Sequence, residues 1–184
     1  MQRRYTAALT AQTKVTGGKA VENSRYLIFV ADEKRFSLPF DKIRIILAAQ
    51  KPVPAPDFPE YIPGTITHEG KMIPVIDLRR RFHYTPKEIS DRDCIIITAS
   101  ESPVGLLCDS VQGFTEVEEE NIQPAPKLNE DVSTSFISGE FLMEDKPCYI
   151  LDGEKIVKLS DREAVKNALC DENNDDNDRK DMEE

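Results

Sequence analysis

The chain alternates short apolar runs with polar, turn-forming stretches. Runs of this length, rich in apolar and β-branched residues and bounded by turn residues, are typical of strands. They lie at residues 26–30, 36–40, 43–48, 71–78, 94–98, 104–108 and 148–151. The last four are almost continuously apolar, which predicts strands buried on both faces or nearly so. Gly64 and Gly70 bracket a further strand.

The connections between these runs indicate an antiparallel arrangement in the middle of the chain. Residues 31–35, ADEKR, are turn-like, and residues 99–103, ASESP, form a hairpin-length loop of polar turn formers between two apolar runs. Residues 51–64 contain five prolines. Proline cannot donate to a sheet ladder, so this stretch is neither a central strand nor a helix longer than one turn.

One stretch, near the C-terminus, predicts a helix over residues 160–170. Ser160 and Glu163 have the spacing of a capping box. The apolar residues that follow fall on one face: Ala164, Val165, Ala168 and Leu169. About eight strands with frequent turns predict an all-β barrel or sandwich. An α/β enzyme fold requires alternating strand and helix patterns, which this chain lacks.

Charge is unevenly distributed. Residues 1–25 carry five basic residues and one acid, a net +4, whereas residues 171–184 carry eight acids and two bases, a net −6. Neither end has apolar periodicity, so we expect a disordered basic head over residues 1–24 and a disordered acidic tail over 171–184. The net charge of −10 argues against nucleic acid or an anionic membrane as the main partner.

The sequence also bears on the compartment and on the cysteines. It contains no signal-peptide pattern and no run of 18 apolar residues, which predicts a cytosolic protein. Cysteines 94, 108, 148 and 170 lie far apart, and three of them lie in apolar runs. They are predicted to be buried, reduced thiols rather than zinc ligands or disulfides.

Motifs for catalysis or cofactor binding are missing from the sequence. His68 and His83 lie outside any nucleophile, base or zinc motif, and neither nucleotide-phosphate loop is present. Residues 116–121, EVEEEN, lack the ligand spacing of a calcium loop and are interpreted as a solvated acidic turn. Arg79–Arg81 are interpreted as a solvated exit from a strand, available for ion pairing with a protein rather than with phosphate. No catalytic residue, metal or cofactor is predicted.

Eight sequence blocks, in order and with matching spacing, resemble the CheW family of bacterial chemotaxis coupling proteins over roughly residues 26–158. The blocks are YLIFV (26–30), FSLPF (36–40), PEYIPG (59–64), GKMIPVIDLRRRF (70–82), VGLLCDSV (104–111), IQPAP (122–126), FISG (136–139) and YILDGEKIV (149–157). The resemblance implies an all-β fold of two five-stranded SH3-like barrels packed on a shared core. It implies no catalysis.

The partners follow from the same resemblance. They are the regulatory domain of a CheA-type histidine kinase and the cytoplasmic tips of methyl-accepting chemoreceptors, with other CheW-like proteins as a further class. The resemblance also implies that the protein is located in the cytoplasm, at a chemoreceptor array. An apolar groove between two barrels is a natural site for a receptor helix hairpin.

Six positions are carried over as candidate partner-binding residues. In two of them the chain departs from the family pattern: Ile45 in KIRII replaces the usual acid, and Glu69 in THEG replaces the usual arginine. In the family these positions look like ion-pair partners, and losing both leaves no single charge unpaired. Asp77 and Arg79 keep their type and, in a continuing strand, would share a face and pair.

The other two candidates, Asp109 and Val111, also keep the family type. For Val111, and likewise for Val75, core packing is the favoured interpretation. The leading hypothesis is a non-enzymatic adaptor with altered partner choice. An alternative is a sequestering or localisation factor that binds one array partner without coupling. A third hypothesis, an enzyme built on a β-barrel, requires a cleft with paired titratable groups and is disfavoured by the shortage of histidine and the absence of a nucleophile motif. Residues 25–159 are predicted to form one two-barrel unit.

Overall fold

The computed structural model describes residues 23–125, 135–163 and 165–166. These residues form eleven strands in two sheets, and a helical turn, α1, lies at Leu78–Arg81. The strands are β1 (Asn23–Ala31), β2 (Lys34–Pro39), β3 (Ile43–Ala48), β4 (Gly64–His68), β5 (Lys71–Asp77), β6 (Cys94–Thr98), β7 (Gly105–Cys108), β8 (Ser110–Glu118), β9 (Gln123–Pro124), β10 (Ile137–Met143) and β11 (Lys146–Leu151). Three-residue 3-10 helices lie at Phe40–Lys42, Glu119–Asn121 and Leu159–Asp161.

Two sheets divide these strands. The first sheet has the order β8-β1-β2-β11-β10-β9, and the second has the order β3-β6-β7-β5-β4. Most neighbours are antiparallel, including β6 with β7 as predicted, whereas β2 with β11 and β5 with β7 are parallel. Only Asp109 separates β7 in the second sheet from β8 in the first. The chain therefore passes directly from one sheet to the other at this residue.

Among the described residues the core has three parts, which explains why several strands are apolar on both faces. A large shared cluster draws on both sheets, with Leu27 and Phe36 from the first and Ile76 and Ile96 from the second. Each sheet also has its own cluster. The first contains Tyr26, Ile28, Val117, Phe141, Cys148 and Ile150, and the second contains Ile66, Ile73, Val75, Ile95 and Ile97. Alternate residues of β1 and β6 thus fill a sheet's own core and the shared core.

The predicted strands are confirmed, with shifted ends, and so is the turn, which lies at Asp32–Glu33. The prediction of about eight strands was too low, because β8, β9 and β10 were missed. The acidic stretch 116–121 is the end of β8 followed by a 3-10 helix, rather than a turn alone. Three cysteines are free as predicted; Cys108 and Cys148 are buried and Cys94 is half-buried, while Cys170 lies outside the described residues.

The chain ends differ in part from expectation. β1 begins at Asn23, so the last two residues of the predicted head belong to a strand. Near the C-terminus, Ser160 donates to the carboxylate of Asp161 at 2.9 Å, and no side chain caps the 3-10 helix that contains it. Residues 162–163 and 165–166 are helical. The rest of the predicted helix, head and tail lies outside the described residues.

Candidate partner-binding surface

The end of β5 fixes the geometry of the arginine run. Asp77 is the N-cap of α1, and its carboxylate accepts hydrogen bonds from the amides of Arg79 at 2.9 Å and Arg80 at 3.3 Å. A capping aspartate satisfies amides that have no partner within a helix. The chain therefore turns at Asp77 instead of continuing as a strand.

Arg79 joins three parts of the chain. Its Nε and Nη2 donate to both carboxylate oxygens of Asp109 at 2.9 and 2.8 Å, a bidentate pair. Its Nη1 donates to the carboxylate of Asp32 and to the carbonyl of Thr85, both at 2.9 Å. Because Asp32 lies in the β1–β2 turn and α1 follows β5, this cluster links the two sheets.

Asp109 is the acceptor at the centre of that cluster. Besides Arg79, it accepts from the amide of Asp32 at 2.8 Å and lies 3.5 Å from the ammonium of Lys87. Burial alone would raise the pKa of Asp109, but the hydrogen bonds from Arg79 and Asp32 and the charges of Arg79 and Lys87 outweigh it. The pKa of Asp109 therefore lies below its ordinary value, and the carboxylate stays ionised.

The expected pairing of Asp77 with Arg79 through their side chains is wrong. It assumed a continuing strand, whereas the cap at Asp77 starts α1 and turns the guanidinium toward Asp109. Asp77 instead pairs with Arg80, with 3.3 Å between the carboxylate and Nε.

The interpretation of Arg79–Arg81 as a solvated exit is also wrong, most clearly for Arg81, which is only 5% exposed. Its Nε donates to the carbonyl of Ile156 at 2.7 Å, and its guanidinium lies 4.3 Å from the ring centre of Phe136 and 5.2 Å from that of Tyr61. Burial lowers the pKa of Arg81 from its ordinary value. Ile156 and Phe136 lie more than 50 residues after Arg81 in the chain, and Tyr61 lies 20 residues before it. The arginine run itself therefore does not predict these contacts.

Tyr61 completes this buried contact. Its hydroxyl donates to Asp161 at 2.6 Å and accepts from the amide of Lys158 at 3.2 Å. Burial, followed by the hydrogen bond to Asp161, raises the pKa of Tyr61 to about 12. The Pro-rich loop and α1 are thereby fixed against the segment that follows β11.

The two departures from the family pattern are exposed. Ile45 is 36% exposed on β3, an edge strand of the second sheet. Glu69 lies in the two-residue β4–β5 turn with its side chain 76% exposed, 3.9 Å from the ring nitrogen Nε2 of His68. β3 and β4 are the opposite ends of the second sheet's strand order. Both residues can be varied with little effect on the core.

Val111 lies on β8 opposite Phe29, half-buried against the shared core. Val75 is fully buried. Both valines therefore pack in the core, which was the favoured interpretation for them. Of the six candidates, the structure brings Asp77, Arg79 and Asp109 close together at one junction, while Ile45 and Glu69 lie on exposed parts of the second sheet.

A cleft of about 270 Å³ lies between the two sheets. Its lining is mixed rather than purely apolar: Pro39 and Leu151 lie beside Thr98, Ser138 and the carboxylate-bearing Asp152. Lys42 and Glu154 approach to 4.0 Å at this cleft. In the described part of the chain, no three His, Cys, Asp or Glu residues are placed to hold a metal ion, and no helix could cross a membrane.

Comparisons with known proteins agree with this architecture. The family model of the CheW-like domain matches residues 25–161. The chain is 30% identical to the chemotaxis protein CheW of Bacillus subtilis (strain 168), over 89% of this chain and 99% of that protein. It is 27% identical to the chemotaxis protein CheW of Rhizobium meliloti (strain 1021), over 76% of this chain and 90% of that protein.

The fold is similar to the crystal structure of the scaffolding protein TtCheW from Thermoanaerobacter tengcongensis. The TM-score is 0.69 at 27% identity, covering 75% of this chain and 94% of that one. The prediction of two SH3-like barrels is confirmed, with the two-residue β9 as a sixth strand in the first. The sequence blocks, the paired barrels and these similarities show that the chain belongs to the CheW-like domain family and is a non-enzymatic chemotaxis scaffold.

Proposed function

We propose that this chain couples a CheA-type histidine kinase to the cytoplasmic tips of chemoreceptors in a bacterial signalling array. The observation that carries the proposal is the match to the CheW-like domain over residues 25–161, with relatives named as chemotaxis proteins over most of their length. A protein without catalysis acts through its surfaces, so partner choice depends on exposed side chains and sheet edges.

Ile45 and Glu69 are the residues through which this chain would differ from an ordinary coupling protein. The positions that look like an ion pair in the family are here an apolar side chain on an edge strand and an exposed acid on a turn. Since both are exposed, the change affects the fold little and the binding surface strongly. A partner that presents an acid to the turn would be repelled by Glu69, which selects against it.

Asp77, Arg79, Asp109 and Val111 lie at the junction of the two sheets rather than beside Ile45 and Glu69. The cap, the bidentate pair and the packing of Val111 fix the position of α1 and of the β7–β8 passage relative to the β1–β2 turn. We propose that they act on binding by holding these segments in place. Their substitution should weaken binding of kinase and receptor together.

Binding should be measured by co-sedimentation with receptor membranes, with and without the kinase, using the wild-type protein and three variants. The variants are Glu69→Arg, the double variant Ile45→Glu with Glu69→Arg, and Glu88→Arg as a matched charge reversal at another exposed acid. The double variant restores the family's charge pattern and should bind a standard kinase regulatory domain about tenfold more tightly, as expected when a like-charge contact becomes a pair. Glu88→Arg should bind like the wild type. Equal binding by wild type and an ordinary CheW, with no effect of Glu69→Arg, would refute altered partner choice.

Kinase activity separates coupling from sequestration. A coupling protein raises or gates phosphorylation when kinase and receptor membranes are both present. A sequestering factor lowers it or leaves it unchanged. If the chain sediments with one partner alone and never raises phosphorylation, the coupling function is wrong and the sequestering alternative replaces it.

A further inference from the structure

A groove of about 710 Å³ opens on the first barrel, and its lining contains none of the six candidate partner-binding residues. One wall is the end of β8, residues 115–118, and the other is residues 141–143 of β10. Glu120 and Asn121 of the 3-10 helix also line the groove. The groove thus lies between two strands of the first sheet that do not pair with each other, β8 and β10.

Both walls have an unpaired edge within the described residues. β8 is an end strand that pairs with β1 on one side. β9 pairs with β10 at Gly139 and Glu140, and does not extend to residues 141–143. Unpaired strand edges present backbone donors and acceptors, which an extended segment can satisfy.

The side chains in the groove select for a particular occupant. Leu142 is 66% exposed, and Phe141 and Val117, which line the same groove, belong to the barrel's own core. Glu116, Glu118 and Glu120 supply the charge around this apolar area. A fitting segment is extended, basic and interspersed with apolar residues.

Residues 1–22 of the same chain have this composition. They carry four basic residues, Arg3, Arg4, Lys14 and Lys19, against Glu22 alone, and they include Tyr5, Leu9 and Val15. The acidic tail, residues 171–184, would be repelled.

The first residue of β1 lies beside the groove wall. Asn23 is the cross-strand partner of Glu118, which lines the groove, so residues 1–22 are covalently attached at this point. Gly17 and Gly18 form a dipeptide typical of turns. At roughly 3.4 Å per extended residue, the residues between this dipeptide and Asn23 can pass over the end of β8 before the chain reverses.

We propose that residues 1–22, predicted from their sequence to be disordered, instead fold back and bind this groove as an extended segment of the same molecule. Their basic side chains pair with Glu116, Glu118 and Glu120, and their apolar side chains cover Leu142. The bound segment also covers the free edges of β8 and β10, which otherwise invite pairing with another chain.

The test uses the full chain and amide-resolved hydrogen exchange by NMR. A head variant neutralises the four bases with Arg3→Gln, Arg4→Gln, Lys14→Gln and Lys19→Gln. A groove variant carries Glu116→Gln, Glu118→Gln and Glu120→Gln. The matched control removes the same number of acids at exposed positions of the second barrel's loops, with Glu88→Gln, Asp91→Asn and Glu101→Gln.

Head and groove variants should each speed exchange of outward-facing amides in residues 115–118 and 141–143 by about fivefold, as expected for the loss of a few exposed ion pairs. The combined variant should exchange no faster than either alone, because both remove the same contact. The control should match the wild type, and amides of β6 should be unchanged throughout.

Two results would overturn the proposal. Unchanged exchange in the head variant would mean that residues 1–22 do not cover the groove. Protection that fades on dilution would assign the groove to the head of a second copy rather than to the same molecule. Neither result depends on kinase or receptor binding, so the proposal stands or falls separately from the coupling function.

Discussion

Arg79 connects three parts of the chain that are distant in sequence: α1, the β1–β2 turn and the passage from β7 to β8. Its side chain is 17% exposed and makes four hydrogen bonds, three of them to carboxylates. Such charge-assisted bonds are stronger than neutral ones, and Arg geometry favours the bidentate form. The junction between the barrels therefore depends on this residue more than on its neighbours.

Replacing Arg79 with Ala should lower the free energy of unfolding by about 2 kcal/mol, because Asp109 would lose its bidentate partner while remaining partly buried. Urea denaturation followed by circular dichroism measures this. Arg92→Ala removes an arginine from an exposed position and should change the free energy by less than about 0.5 kcal/mol. Equal effects of the two substitutions would contradict the role assigned to Arg79.

Low pH should remove the contribution of Arg79 to the free energy of unfolding. The folded-state pKa of Asp109 is lowered, so its contribution to stability is present above the unfolded-state pKa of about 3.9 and is lost as pH falls through the folded value. The stability difference between wild type and Arg79→Ala should be largest near neutral pH and should shrink below about pH 4. Urea titrations across this range give the difference directly, and a constant difference would rule out Asp109 as the titrating partner.

At the scale of elements, a glycine lies at each end of β4, and the two are required for different reasons. Gly64 has φ +150°, and a Cβ there would lie 2.0 Å from the backbone oxygen of Val53, which exchanges two hydrogen bonds of 2.8 Å with Thr65. Gly70 has φ +74° and open space around it, next to Glu69 with φ +51°. Two successive positive φ values are what a type I′ hairpin turn requires.

Gly64→Ala should therefore lower the free energy of unfolding more than Gly70→Ala. The first forces the Val53–Thr65 bridge apart and should lose about 2 kcal/mol for its two hydrogen bonds. The second strains one turn residue and should lose about 1 kcal/mol. Thermal and urea unfolding of both variants test the order; a larger loss for Gly70→Ala would show that the turn, not the close backbone approach, dominates.

The sequence predicted the strands with continuous apolar runs well. It predicted the strands with one solvent-exposed face less well. β5, β6 and β7 were predicted because both of their faces are buried, one in the barrel's own core and one in the shared core. β10 alternates between buried and exposed residues, and β8 is mostly half-buried, so neither contains a long apolar run. Period-two alternation was the available signal for β10.

The arginine run shows the same limit at the candidate site. A cap at Asp77 can be suspected from sequence, since Asp is a preferred N-cap residue. The partners of Arg79 and Arg81 lie up to 75 residues away, and a local pattern cannot identify them. Exposure of Ile45 and Glu69 likewise depends on which strands become sheet edges, which the strand pattern alone does not determine.

At the scale of the whole molecule, the shared core makes the two barrels depend on each other. Phe36 of the first sheet is 1% exposed and stacks on Phe82, which follows α1, with ring centres 4.7 Å apart. The Arg79 junction and the segment around Arg81 add polar links between the same parts. Separating the barrels would expose this apolar surface, so a folded single barrel is disfavoured.

The molecule should accordingly unfold in one transition, as predicted for a single unit over residues 25–159. Ile28→Val removes a methylene from the first barrel's own core, and Ile95→Val does the same in the second. Each should lower the free energy of unfolding by about 1 kcal/mol. Because the barrels unfold together, each variant should speed the slowest amide exchange in both barrels by the same factor. Val53→Ala, at a 66% exposed side chain, is the control and should leave exchange unchanged. If Ile28→Val accelerated exchange in the first barrel alone, the barrels would be independent units and the shared core would not couple them.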